Sequence, residues 1–242
     1  MKRTERHHLK ENELEKFARR AREAVQTRRR ETMAGIIALV VIGAVAVGYW
    51  AWRERVETRG HAMLAAALAA QEARVGPPPA PGVGPPSTPS FATERERSLA
   101  ALAKFKAAAD AYPSTDAGIF ARYMEAVTSM ALGNAADAAR AYQQVIDRAG
   151  DGIYGQMARL GLAEAQARAG QYDQAINTFK ELAQRKDGPL PIDGILMQLG
   201  RTYRDAGKRD DAQQTFNRLV EEFPQSPFAG DAKRELDSLK KA

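Results

Sequence analysis

The sequence GQYDQAINTFKELA, residues 170–183, occurs in three related versions along this chain. Thirty-seven residues upstream stands GNAADAARAYQQVI (133–146), and 37 downstream stands GKRDDAQQTFNRLV (207–220). Gly133, Gly170 and Gly207 share one register, as do Ala138, Ala175 and Ala212, and then Tyr142, Phe179 and Phe216. Ala101 and Phe105 extend the series one unit earlier. Each glycine predicts a helix end and a tight turn. Each alanine, five residues on, predicts a contact where two helices approach closely. The aromatic four residues later lies on the same helix face. A fixed period of this size with two helices per unit predicts an all-α fold, an α-solenoid.

Upstream of the repeats the composition changes. Residues 33–52, MAGIIALVVIGAVAVGYWAW, contain no charged side chain. Twenty residues at 1.5 Å each give a helix of about 30 Å, the hydrocarbon thickness of a bilayer. Tyr49, Trp50 and Trp52 gather at one end, as interfacial aromatics do. The stretch reads as a single transmembrane helix. Its charged leader is too long and its apolar run too extended for a cleaved signal peptide. Arg19, Arg20, Arg22, Arg28, Arg29 and Arg30 precede it closely, whereas only Arg53, Arg55 and Arg59 follow. Positive charge stays on the cytoplasmic side, which predicts an N-terminus inside and the repeats exported.

The net charge of +6 belongs mostly to the membrane approach. Residues 1–32 hold eleven Lys/Arg against six Asp/Glu, and residues 53–242 hold 25 against 24. The larger part therefore lacks the basic footprint of a nucleic-acid binder, and no nucleic acid is expected as a partner. Residues 1–32 predict a basic cytoplasmic amphipathic segment, with Asn12 and Glu15 in capping-box form. Residues 53–75 predict a juxtamembrane amphipathic helix weakened at Gly60. Residues 76–90, GPPPAPGVGPPSTPS, carry seven of the twelve prolines and predict a semi-rigid linker. Residues 91–242 hold the repeats, closed by a polar helix expected to begin at Ser226 and Pro227 and to run through Leu239.

The last full unit carries a family resemblance: Leu199-Gly200, Tyr203, Gly207, Ala212, Phe216 and Pro224 resemble the tetratricopeptide repeat pattern. Ala101, Phe105, Ala108 and Pro113 resemble the second helix of an earlier unit, whose first helix would lie in 56–75. The 37-residue period departs from the family's 34. The layout of cytoplasmic segment, single span and exported repeats resembles YfgM-like inner-membrane proteins, the single-span ancillary subunit of the SecYEG translocon. That resemblance implies a bacterial inner-membrane location, with SecYEG and a membrane-anchored periplasmic chaperone as partners. The C-terminal half is equally similar to repeat proteins that organise division, pilus or outer-membrane assembly.

Chemistry is sparse. The three histidines, His7, His8 and His61, lie outside residues 91–242, and cysteine is absent. The commonest nucleophiles, general bases and metal ligands are therefore missing there. No phosphate-binding glycine loop occurs. No catalysis, cofactor, metal or small-molecule substrate is expected. What remains is surface. In the family, first helices of each unit line a groove for peptides. Aligning the units on their glycines sets Phe120, Tyr123, Met124 and Val127 beside Met157 and Leu160, then Met197, Arg201 and Arg204. The stripe reads either as a groove, Met-rich at one end and basic at the other, or as inter-helix core. Methionine suits the first reading, because it adapts to varied apolar partners. A chaperone-like or translocon-associated binder follows from it; a structural organiser of an envelope complex is the alternative.

Overall fold

The computed structural model describes residues 29–76, 90–185 and 188–241. The expectations for Asn12, Glu15, His7 and His8 fall outside the described residues. The chain divides into two compact units, Met1–Arg55 and Val56–Ala242.

In the first unit, helix α1 (Arg29–Gln71) begins and carries the apolar run. Every large apolar side chain of that run is exposed, including Ile36 at 62 % and Val45 at 66 %. Among the described residues it is the one helix long and apolar enough to cross a membrane. Exposed Ile and Val at this density are unfavourable in water and favourable in hydrocarbon.

The second unit begins inside α1 and continues as a series of helices, each packed on its sequence neighbours. These are α2 (Glu94–Ala111), α3 (Asp116–Ala131), α4 (Ala135–Ala149) and α5 (Ile153–Arg168). They continue as α6 (Tyr172–Gln184), α7 (Ile192–Asp205), α8 (Arg209–Glu222) and α9 (Ala229–Lys241). Its core is divided in the manner of a solenoid. One cluster joins Leu64, Ala67 and Ala70 of α1 to Ala101, Phe105 and Ala108 of α2 and to Ala117 and Ala121 of α3. A second centres on Tyr142 and Val145 between α3 and α5. The third and largest runs from Ala163 and Phe179 to Leu239.

The repeat register explains this division. Ala101, Ala138, Ala175 and Ala212 are all fully buried, and Phe105, Phe179 and Phe216 have no exposed surface. Gly133, Gly170 and Gly207 adopt φ of +84°, +77° and +73°, a region L side chains rarely enter, and each follows the first helix of its unit. The helix facing a buried ring is small at the contact. A Cβ on Gly200 would come within 2.4 Å of the Phe216 ring, and one on Gly161 within 2.3 Å of the Tyr142 ring.

One reading near the start of the second unit needs correction. Gly60 is no weak point: α1 passes through it unbroken, and Gly60 is buried. A Cβ there would sit 3.1 Å from Thr115 Oγ1, so the glycine serves close packing against the loop before α3. The segment 76–90 does not hold its two flanks apart. They lie side by side in a parallel pair, β1 (Arg74–Val75) with β2 (Ser90–Phe91), in the register Arg74 to Ser90 and Val75 to Phe91. Gly76 N donates to Phe91 O at 2.9 Å and Arg97 donates to Ala73 O at 3.4 Å. The C-terminal part of α1 and α2 share one core cluster, which leaves the Pro-rich stretch as an insertion between two packed helices. The residues inside it, 77–89, are outside the described set.

Local chemistry sets the ends. Thr93 caps α2 by accepting from Glu96 N, and Thr115 caps α3 by accepting from Gly118 N at 3.0 Å while donating to Tyr112 O. The last helix starts at Ala229, later than the Ser226 expected. Ser226 Oγ still accepts from Phe228 N and donates to Asp193 at 2.6 Å, which ties the final turn to α7.

Ala175→Leu adds side-chain bulk at a position with no exposed surface and should cost about 1–3 kcal/mol in urea unfolding. Wild-type stability in that variant would contradict the packing register.

Candidate functional site

The candidate stripe lies along α3 and α5. On a helix, residues three and four apart share a face, so Phe120, Tyr123, Met124 and Val127 form one strip of α3. On α5 the matching strip is Met157, Leu160, Gly161 and Glu164. Phe120 stacks with Tyr123 at 6.4 Å between ring centroids and meets Tyr154 at 5.5 Å. Tyr123 meets Tyr142 edge-on at 5.8 Å. Such offset and edge contacts orient rings without closing them from solvent.

The structure divides the nine expected residues into three groups. Phe120 and Met124 pack against the first core cluster, and Tyr123 and Val127 against the second. All four stay half-buried, as do Met157 and Leu160. Leu160 packs against the third core cluster, and the six together form a partly buried apolar strip. Met197 departs from this: at 1 % exposure it is embedded in the third core cluster, so it is core and cannot line a groove. That cluster includes the apolar face of α9, the terminal helix, which shares its core with α7. The basic end is also corrected. Arg204 donates to Glu235 at 2.6 Å and to Asp205 at 2.8 Å. Arg201 approaches Asp231 at 3.7 Å and Glu235 at 3.5 Å. Burial opposes ionisation of Arg204, but those carboxylate hydrogen bonds outweigh it and raise its pKa. The positive charge of α7 serves to dock the terminal helix.

The core and groove readings of α3 are not exclusive. Ser129 is buried, and the side chains of Arg122 and Glu125 are only 13 % and 14 % exposed. Arg122 satisfies that burial by pairing with Glu125 at 2.6 Å and with Asp110 of α2. A buried charge is tolerated when it is paired in this way. An open polar cleft of about 550 Å³ adjoins the pair, lined by Lys106, Asp137, Arg140 and Gln144 among others.

Sequence reasoning overlooked three members of the site: Tyr142, Tyr154 and Glu164. The signal was present for Glu164, which follows Gly161 by three residues, Leu160 by four and Met157 by seven. Its carboxyl is half-buried and makes no hydrogen bond or ion pair among the described residues. Burial pushes its pKa above the ordinary carboxylate range, and Arg168, one turn on, only partly opposes this. Burial also raises the Tyr123 and Tyr142 phenols, and the Glu164 charge adds to both shifts. No cluster of potential metal ligands occurs among the described residues.

Residues 30–226 match the model of the family described as tetratricopeptide repeat-like domain. Among solved structures, the chain is similar to two of Podosopora anserina putative kinesin light chain nearly identical TPR-like repeats. One of the two carries a single substitution; both have a TM-score of 0.57 and 13 % identity. Each match covers 76 % of this chain, and 86 % and 87 % of theirs. YrrB, a TPR protein with an unusual peptide-binding site, matches with a TM-score of 0.48 and 19 % identity over 58 % of this chain and 68 % of its own. No curated protein sequence matches.

Two measurements separate surface from core and locate the carboxylate. Met197→Ala should cost roughly 2–5 kcal/mol, whereas Met157→Ala should cost far less; equal losses would place both in the core. For Glu164, a raised folded-state pKa means a stabilising contribution that is complete in acid and lost as pH rises through that pKa. Glu164→Gln should therefore match wild type below the ordinary carboxylate range and exceed its stability at neutral pH. Urea midpoints that differ by the same amount at every pH would refute the assignment.

Proposed function

This chain belongs to the tetratricopeptide repeat-like domain family, and we propose that it is a membrane-anchored protein-binding module. The repeat fold is a protein-interaction scaffold. In our reading it engages a partner or an emerging polypeptide on the periplasmic side of a bacterial inner membrane, anchored through residues 33–52. The observation that carries binding is the half-exposed strip of Phe120, Tyr123, Tyr154, Met157 and Leu160. The strip packs on the core clusters with one side and keeps part of its surface accessible, and aromatic and methionine side chains are the usual anchors of adaptable protein contacts. The observation that supports anchoring is the exposed apolar length of α1. The six arginines before it and three after it favour export of the repeats. The partners we infer, from layout alone, are the SecYEG translocon and a membrane-anchored periplasmic chaperone.

A photo-crosslinking residue at position 157, used in intact membranes, tests this. We expect adducts with translocon or chaperone components or with emerging chains, and protease added from the periplasmic side should remove the repeats. One stoichiometric envelope partner would favour the structural-organiser reading. A protease-protected repeat unit would reverse the topology.

A further inference from the structure

The strip contains one group that an apolar-binding surface does not require. Glu164 lies in line with Met157 and Leu160 on α5, one turn beyond Gly161, whose missing side chain lets the Tyr142 ring approach. It interacts electrostatically with Tyr123 and Tyr142. The Tyr123 ring is itself stacked on Phe120, which in turn meets Tyr154. Glu164 is only half-buried, so its carboxylate is partly stripped of hydration while it stays open to an incoming partner. Arg168 is exposed and forms no ion pair with it among the described residues. The equivalent positions 37 residues away are Val127 and Arg201. Val127 shows that the lattice accepts an apolar residue there, and Arg201 makes ion pairs with the terminal helix. Glu164 makes no such ion pair among the described residues.

Charge complementarity then identifies what fits. A half-buried anion next to aromatic rings suits an organic cation: the carboxylate supplies the counter-charge and the ring faces supply further attraction. The apolar residues in line with it require that the cation arrive within an apolar stretch. We propose that the occupant of the α3–α5 strip is a polypeptide segment in which a lysine or arginine is flanked by apolar side chains, with Glu164 as the residue that selects the cation. This rests on the strip being the protein-binding surface proposed above. An acidic segment is excluded by the same charge.

The test uses the full chain in lipid nanodiscs and three short fluorescent peptides. They share one leucine- and serine-containing sequence and differ only in a central Lys, Gln or Glu. Fluorescence anisotropy should show the Lys peptide binding about tenfold more tightly than the Gln peptide, the factor expected of one charge-assisted contact. The Glu peptide should bind least. In Glu164→Gln the Lys preference should vanish while affinity for the Gln peptide is kept. Equal binding of the Lys and Gln peptides to wild type would overturn the inference and leave the strip as a plain apolar surface. A Lys preference that persists in a folded Glu164→Gln variant would place the counter-charge elsewhere and also overturn it. Failure of every peptide to bind would overturn the binding reading of the strip, and this inference with it. Because the wild-type comparison needs no variant, the decision does not depend on how Glu164→Gln folds.

Discussion

The fold depends on a ring meeting a gap. Phe105, Tyr142, Phe179 and Phe216 are each buried, and at Tyr142 and Phe216 the facing helix carries a glycine where a side chain would strike the ring. The consequence is an inter-helix distance fixed by side-chain size, repeated every 37 residues, so that the whole array inherits one geometry. Stability then accumulates between neighbours. The three separate core clusters are the visible form of that arrangement, since each is built from helices that follow one another in the chain. Polar ties follow the same lattice: Lys208 meets Asp173 at 2.7 Å and Arg148 donates to Pro113 O at 3.2 Å, each bridging adjacent repeats.

This constraint was legible in the sequence because it is periodic. Glycines with positive φ, buried alanines and aromatic rings recur at one spacing, and each has a local physical cause. The parts that were not legible are those where one unit departs from the others. Met197 aligns with half-exposed positions in earlier units, yet it is buried in the cluster that α9 completes, and a terminal helix has no counterpart elsewhere in the period. Arg201 and Arg204 read as a basic surface until Asp231 and Glu235 of that same helix stand beside them. Charge sign is visible in sequence; the identity of the neighbour that neutralises it is not.

The Pro-rich stretch shows the same limit from another side. Its composition is unsuited to helix or central strand, which is a property of the segment itself. Composition offers no view of where the two flanks lie; the repeat resemblance, which pairs a first helix in 56–75 with Ala101 and Phe105, does, and Leu64, Ala67, Ala101 and Phe105 share one core cluster. A parallel pair needs a dozen or more residues between its strands, and Val75 and Ser90 are 15 positions apart in the sequence. Lengthening a loop whose ends are already fixed costs little, since closure entropy grows only with the logarithm of length. The insertion is thus compatible with an intact repeat, and the helices on either side of it contribute to one core cluster.

Departures from the period are also where function is to be sought. A residue that satisfies the lattice is explained by the lattice. Ser129, Arg122 and Glu125 are polar groups in a packed helix, yet burial and pairing account for them. Glu164 is different: it is half-buried on the strip's face of α5 and makes no hydrogen bond or ion pair among the described residues, while Arg168 only partly opposes the upward push of burial on its pKa. A half-buried polar group that the lattice does not account for is a candidate for contact with something outside the fold. For a surface already lined with half-exposed rings, the simplest such agent is a bound cation. Apolar strips alone discriminate poorly between partners, while one desolvated charge among them rejects every segment that cannot answer it.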